Sequence, residues 1–275
     1  MKNTKWRQNQ EALKNNIAKL GIEQLLVHSD SFKSLGFIDF GKDQNQNLAR
    51  HLSFLSDLSS NLVLPVFNYN FPKNRLFDFE HFTSQTGAIS DAFKQVQPGK
   101  TFDPMFSMSY TSGLESFSRY EKTVNTFESS GVFSKLISSK SGILFYGADI
   151  KTATIIHYVE AMSAVLYRYD KKFQGQVLID GCSKDLTYIS HFRPMGHYFD
   201  YDWKRIKTDL INNALVTSVG KHCHLFNAQQ LFDFWCSKMN DDPLYFLDKK
   251  SLLWVEPKLN NLGRRFQCRD FESDG

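Results

Sequence analysis

Apolar residues along this chain alternate between two rhythms. In QNQEALKNNIAKLG (8–21) they recur at helical spacing, on Ala12, Leu13, Ile17 and Leu20, and Gly21 supplies the stop. QLLVH (24–28) is short and continuous, as a buried strand requires. The pair then repeats: NLARHLSFLSDLSS (47–60) puts Leu48, Leu52, Leu55 and Leu58 on one helical stripe, and NLVLPVFNYNF (61–71) reads as a strand. SGVFSKLISS (130–139) predicts a short helix, GILFYG (142–147) a strand and TATIIHYVEAMSAVL (152–166) a helix. Beyond it, strands are expected at GQVLID (175–180), LTYISHF (186–192) and ALVTSVG (214–220). Helices are expected over 201–213, with Trp203, Ile206, Leu210 and Ile211 inward, and at AQQLFDFWCSKM (228–239). Alternating helices and strands are the mark of an α/β fold.

One helix of this set is unusual. At 100° per residue, Ile155, Ile156, Val159, Met162 and Leu166 of 152–166 share one side, with His157, Glu160, Ala153, Ala161 and Ala164 roughly opposite. An exposed face would carry Lys, Glu, Gln or Arg, so both sides read as buried. Alanines around one His and one Glu suit a cleft wall on which a ligand rests. His157 and Glu160 are i,i+3 neighbours, close enough for the carboxylate to orient the imidazole. A structural contact between packed helices is the alternative reading of the same pair.

Length and composition narrow the class. The 275 residues fit one large domain, taken as 1–275, with a long patternless segment at about 72–128 that is expected to be functional. A hydrophobic share of 41% and a charged share of 23% are ordinary for a globular chain, while 25 Phe and 11 Tyr make its cores or clefts aromatic. No apolar run reaches membrane-spanning length, and MKNTKWRQNQ lacks the apolar core of a signal peptide, so a cytoplasmic protein without membrane contact is expected. Cys182, Cys223, Cys236 and Cys268 have no paired spacing and read as reduced structural thiols. The formal net charge of +4 is too weak and dispersed for a nucleic-acid face, yet it favours a phosphate-bearing small ligand. No metal is expected: HFRPMGH (191–197) and HCH (222–224) lack a closed ligand set, and the His157–Glu160 pair has no counterpart on another helix. Aromatic stripes such as LFDFWCSKM leave the oligomeric state open.

LLVHSDSFKSLG (25–36) runs from a buried strand into a Ser/Asp-rich start. Free N–H groups there, beside the hydroxyls of Ser29, Ser31 and Ser34, suit a phosphate or pyrophosphate. A simple helix N-cap is the competing reading.

In order along the chain, VHSDSFKSLG (27–36), LVLPVFNY (62–69), TGAISDAFK (86–94), PGKTFDPMFSMSYTSG (98–113), ILFYGADIKTATIIHYVE (143–160) and VGKHCHLFNAQQLFDF (219–234) resemble the antibiotic N-acetyltransferase family, the aminoglycoside 3-N-acetyltransferases and their relatives. The resemblance implies a central mixed β-sheet flanked by helices and acyl transfer from acyl-coenzyme A to an amine. It implies that His28, Ser29, Asp30, Ser31 and Ser34 meet the coenzyme and that His157 is the general base. The acceptor would then lie along the long loop, making Ser84, Asp91 and Asp103 candidates to grip it. Antibiotic-modifying members usually have His before the Pro of KTFDPMFS, where Asp103 stands here. That departure, with YRYDKKFQG (167–175), resembles the relatives that acylate nucleotide-linked amino sugars for O-antigen or other surface polysaccharides.

A neutral amine needs a proton acceptor, a nearby thioester and an oxyanion donor. His157 is expected to take the proton, Glu160 to support the imidazolium, and Thr154 or a nearby N–H to hold the oxyanion. Arg168, Lys171, Lys172 and Arg193 are available for a diphosphate, unless they form a solvated loop. An aminoglycoside, a polycation, would call instead for carboxylates. A sugar-binding protein that has lost its chemistry is the alternative of another class.

Overall fold

The computed structural model describes residues 5–97 and 99–272. Pro98, the first residue of PGKTFDPMFS, and both ends of the proposed 1–275 domain lie outside the described residues.

Helix α1 (Lys5–Lys19) stops as Gly21 predicts: at φ +63° it lets its N–H reach Ala18 O at 3.0 Å and the Ile22 N–H reach Ile17 O at 3.1 Å. Strand β1 (Gln24–Ser29) follows, buried from Leu25 through His28. Asp43 caps α2 (Gln44–Ser56) by accepting from the Asn45 and Gln46 N–H groups, and β2 (Asn61–Pro65) returns beside β1. The segment around 72–128 is built of short pieces: α3 (Phe71–Asn74), β3 (Leu76–Asp78), α4 (Ala88–Val96), β4 (Gly99–Lys100), β5 (Met108–Tyr110) and β6 (Thr123–Asn125). After α5 (Val132–Lys135) come β7 (Ser141–Tyr146), α6 (Ile155–Met162), β8 (Tyr169–Ile179) and β9 (Cys182–Phe192). The chain ends with α7 (Trp203–Asn212), β10 (Thr217–Val219), β11 (Cys223–Asn227), α8 (Ala228–Asp241) and α9 (Lys249–Leu262).

Seven strands form a mixed central sheet in the order β10-β11-β7-β1-β2-β5-β4. Its middle is parallel, with β1 between β2 and β7, while β11 and β5 join antiparallel. One core packs Leu13, Ile17, Phe54, Leu55 and Phe93 of α1, α2 and α4 against one face of the sheet. On the other face, a larger core joins Val159, Trp235 and Val255 of α6, α8 and α9. This is the α/β layering that the alternation predicts. A second sheet, β3-β8-β9-β6, carries its own aromatic core of Phe71, Phe77, Phe102, Phe173 and Tyr188.

Several elements differ from the sequence reading. The two strands expected at 175–180 and 186–192 are the ends of one long hairpin. Its turn is Asp180-Gly181, both at positive φ (51° and 69°), which suits the right-handed twist of the strands it joins. The expected strand 61–71 ends at Pro65, and Asn68 then bonds the Thr83 carbonyl at 2.8 Å. The helix expected over 152–166 is shorter at both ends: Ile150–Thr152 form a 3-10 turn, and Ala164 at φ 49° breaks the run, leaving Leu166 exposed. Ile211, expected inward, is 64% exposed. HCHLFN pairs beside β7 as β11, and no group of three or more metal-ligating side chains occurs among the described residues. None of the four cysteines is joined in a disulfide, and no helix among the described residues is long and apolar enough to cross a membrane.

Candidate active site

Two parallel strands end side by side here. β1 delivers His28 and Ser29, and β7 delivers Tyr146 and Gly147. Gly147 has φ +80°, and a Cβ on it would stand 2.5 Å from the Asp30 carbonyl oxygen and 2.9 Å from the Ser34 nitrogen. Only glycine lets the two loops lie so close. The β7 loop then leads into α6, where Thr154 is the buried N-cap and His157 and Glu160 occupy the first and second turns.

His157 Nδ1 lies 3.0 Å from Glu160 Oε2, as the i,i+3 spacing predicts. The Glu160 side chain has no exposed surface. Its carboxylate is met by Arg168 Nε at 2.7 Å and by the Tyr201 hydroxyl, which donates to Oε1 and Oε2 at 2.8 Å each. Burial alone would raise this carboxyl, but Arg168 and His157 outweigh it and hold its pKa at about 2. The partners assign the imidazole tautomer. Arg168 Nη2 and the Tyr201 hydroxyl also lie 3.3 and 3.2 Å from Nδ1, but they donate to the Tyr201 oxygen and to Glu160, so the nearer ionised carboxylate accepts from Nδ1–H. Nε2 is left with its lone pair and no partner among the described residues. Burial, then the Arg168 charge, lower the His157 pKa from 6.5 against the pull of Glu160, so the ring is neutral near neutral pH.

His157 is 29% exposed and lines two adjoining hollows. The first, about 380 Å³, has His28, Ser29, Gln85, Thr86, Ser90, Lys151, Thr152 and Thr154 among its polar walls, and Pro65, Phe67, Tyr69, Phe106 and Ile156 among its apolar ones. A second, about 490 Å³, is walled by Arg168, Ser190, His191, Arg193 and Asp200 with Met105, Phe127, Phe192 and Phe199. Phe106, Lys151, His157, Tyr201 and Trp203 belong to both. A third hollow, about 290 Å³, shares Ala148 with the first and presents Lys33, Lys207, His222 and His224.

Of the residues read from the sequence, the structure brings His157, Glu160, Thr154, Arg168, His28 and Ser29 to one place. Other candidates do different work. Asp30 closes a turn, its Oδ1 accepting from Phe32 and Lys33 N–H groups at 3.1 Å each. Ser34 is fully buried, its hydroxyl donating to the Asp30 carbonyl at 2.7 Å, so it is out of a ligand's reach. The half-buried Ser31 lies between them and lines none of the three hollows. No α-helix follows this turn; Leu35–Phe37 is a single 3-10 turn, so the expected phosphate-binding helix start is absent. Asp103 is buried and fully used: its carboxylate accepts from Met105 N, Phe106 N and Thr126 Oγ1 at 2.8, 2.6 and 2.7 Å. Ser84 pairs with Thr86 Oγ1 at 2.8 Å, and it is Thr86 that lines the cleft. Asp91 lies in the first turn of α4 and lines none of the hollows. Arg168, expected at the acceptor, is buried and spends its guanidinium on Glu160 and Tyr201. YRYDKKFQG is thus no solvated loop. The sequence reading missed Tyr201, which follows an unpatterned stretch, and the wall residues Tyr69, Gln85, Thr86, Lys151 and Trp203, whose residue types carry no distinctive spacing.

Residues 26–240 match the sequence profile of the family described as aminoglycoside 3-N-acetyltransferase. The chain belongs to that family. Its members are N-acyltransferases that take their acyl group from acyl-coenzyme A. No curated protein sequence matches the chain. Among solved structures of the family's fold, the aminoglycoside acetyltransferase AAC(3)-IVa is 19% identical, with a TM-score of 0.61 over 87% of this chain and 91% of its own. AAC-IIIb in its binary complex with CoASH is 13% identical, with a TM-score of 0.66 over 84% and 96%. YokD from Bacillus subtilis is 15% identical, with a TM-score of 0.58 over 85% and 99%. At these identities the likeness is one of fold, and it includes the central mixed sheet flanked by helices.

Proposed function

We propose that this protein transfers an acyl group from acyl-coenzyme A to the amino group of an amino sugar, with His157 as general base. One observation carries the reading: a neutral imidazole, tied through Nδ1 to a buried carboxylate, presents its free nitrogen where two hollows meet. The residues of the first hollow fit an acyl-coenzyme A arm. Apolar walls with a few hydroxyls and amides suit an amide-bearing chain, and His28 Nε2 is buried without a partner beside Ser29. Next door, Lys33 and Lys207 offer ammonium groups for phosphates, held in place by Asp30 at 3.1 Å and Asp149 at 2.9 Å. The coenzyme contributes a thioester, already activated toward an amine. As the C–N bond forms, His157 accepts the amine proton at Nε2 and Glu160, fixed by Arg168 and Tyr201, supports the imidazolium; as the C–S bond breaks, that proton passes to the departing coenzyme A thiolate. Thr154, at the start of α6 and held only by a 3.5 Å contact from its hydroxyl to the Thr152 carbonyl, is the oxyanion donor of this reading. No acyl-enzyme is needed.

Family membership and the comparisons back an aminoglycoside acceptor better than a nucleotide-linked amino sugar. AAC(3)-IVa has been solved with a gentamicin and with apramycin, and AAC-VIa with sisomicin. The lining of the second hollow favours the other acceptor. With Arg168 balanced by Glu160, its charged groups are Lys151 and Arg193 against one carboxylate, Asp200. A polycation gains little from such a wall, whereas a sugar carrying a diphosphate is attracted to it. Thiol release from acetyl- and longer acyl-coenzyme A, with gentamicin and a panel of nucleoside-diphosphate amino sugars, separates the two readings. Turnover is expected with a nucleotide-linked sugar. Preference for gentamicin would place the chain among the antibiotic-modifying members. In the same assay His157→Asn should lose about 10²–10⁴-fold in kcat with unchanged coenzyme affinity; a near-normal kcat would remove His157 from the mechanism.

A further inference from the structure

His191 repeats the arrangement of His157 on the opposite side of Arg168. It stands directly across from Asp170 in the β8–β9 ladder, and its Nδ1 lies 3.0 Å from Asp170 Oδ1. Arg265 grips the same carboxylate through two contacts of 3.2 Å and reaches the Arg168 carbonyl with Nε at 2.9 Å. Arg168 in turn donates to the His191 carbonyl at 3.3 Å while holding Glu160. One guanidinium therefore fixes both histidines.

The His191 side chain is only 3% exposed, it belongs to the wall of the second hollow, and its Nε2 is buried without a partner. Burial lowers its pKa against the pull of Asp170, and Asp170 itself is held at about 2, chiefly by its hydrogen bond with His191. Arg265 Nη2 also lies 3.1 Å from Nδ1, but it already donates to Asp170, and a bare Nδ1 lone pair would face that ionised carboxylate at 3.0 Å, so Nδ1 carries the ring's proton and Nε2 is an acceptor without a donor. A role confined to stapling the hairpin would use Nδ1 alone. An unpaired buried acceptor costs free energy unless a donor arrives with the ligand.

We infer that His191 is a specificity-determining residue whose Nε2 accepts a hydrogen bond from a hydroxyl of the acceptor sugar next to the reacting amine. Asp170 and Arg265 act through it as positioning residues. This inference rests on the amino-sugar acyltransfer proposed above.

The experiment takes the best acceptor of that panel and its analogue in which the hydroxyl beside the amine is replaced by hydrogen. For the wild-type protein, the deoxy analogue should lose about tenfold in kcat/KM. His191→Phe should lose a similar factor with the full acceptor and nothing further with the analogue. His191→Gln, which restores an acceptor atom, should recover part of the discrimination, and it carries the comparison if the Phe variant does not fold. Equal losses with both acceptors, or wild-type discrimination in both variants, would overturn the inference while leaving the acyltransfer reading intact. A panel with no turnover at all would instead defeat that reading, and the inference with it.

Discussion

Glu160 keeps a full charge with no solvent contact because a guanidinium, one imidazole N–H and one hydroxyl converge on it. Such a pair resists loss of one member more than loss of both. Arg168→Leu strands the carboxylate, so urea unfolding should show a cost of about 3–5 kcal/mol. The Glu160 pKa should rise from about 2 toward its ordinary 4.5, and kcat should fall because the carboxylate is no longer held against His157 Nδ1. Tyr201→Phe removes only the hydroxyl and should cost about 1–3 kcal/mol. Equal stability of the two variants would mean that Arg168 and Glu160 are not a coupled pair. The His-Glu half of this cluster was legible in the sequence because both residues share one helical turn. Arg168 and Tyr201 come from separate segments, and no spacing rule links them to α6.

At the scale of elements, function depends on how closely the loops after β1 and β7 approach. Gly147 and Gly181 both have positive φ, +80° and +69°, but only Gly147 is crowded: a Cβ on Gly181 would meet nothing within 4 Å. Gly181→Ala should therefore cost about 1 kcal/mol from backbone strain, with kinetics unchanged. Gly147→Ala must in addition push back the Asp30–Ser34 turn. It should destabilise by clearly more and raise KM for acyl-coenzyme A, since Ser29 and His28 border that turn. Matching effects in steady-state kinetics and melting would show that the crowding is relieved elsewhere. Periodicity located the helices and strands of the central sheet because those elements bury one defined face each. It missed α9, where Pro257 lies inside KKSLLWVEPKLNNL and Leu253 is left 78% exposed. It missed β11 because CHLFN, unlike QLLVH, has a polar residue breaking its short apolar run and no clean alternation. In the second sheet, β8 turns every second residue inward from Tyr169 to Val177, but Lys171 and Gly175 hold two of those places, so the apolar alternation is broken in the sequence.

Over the whole molecule, buried ionisable groups set how stability responds to acid. His28 and His51 are both almost fully buried, one stacked on Phe145 and the other bonded to the Tyr146 hydroxyl at 2.8 Å. Burial lowers each from 6.5 to about 4. Between these values the unfolded chain binds protons that the folded chain refuses, so stability falls as pH drops from 6.5 and levels off near 4. At about 1.4 kcal/mol per pH unit, each ring accounts for roughly 3 kcal/mol over that window. Glu160 acts lower: its depressed pKa contributes stability above 4.5 that is lost as pH falls toward about 2. The urea midpoint of the wild-type protein should therefore decline steadily between pH 6.5 and 4 and continue downward below it. His28→Leu cannot take up a proton when unfolded, so its decline over the upper window should be shallower by that ring's share, roughly 3 kcal/mol, with the lower limb unchanged. Parallel curves for the two proteins would mean that His28 titrates normally in the folded state. The ring would then have to reach water through the cleft it lines, and the unpartnered Nε2 that marks this wall as a ligand surface would be hydrated instead.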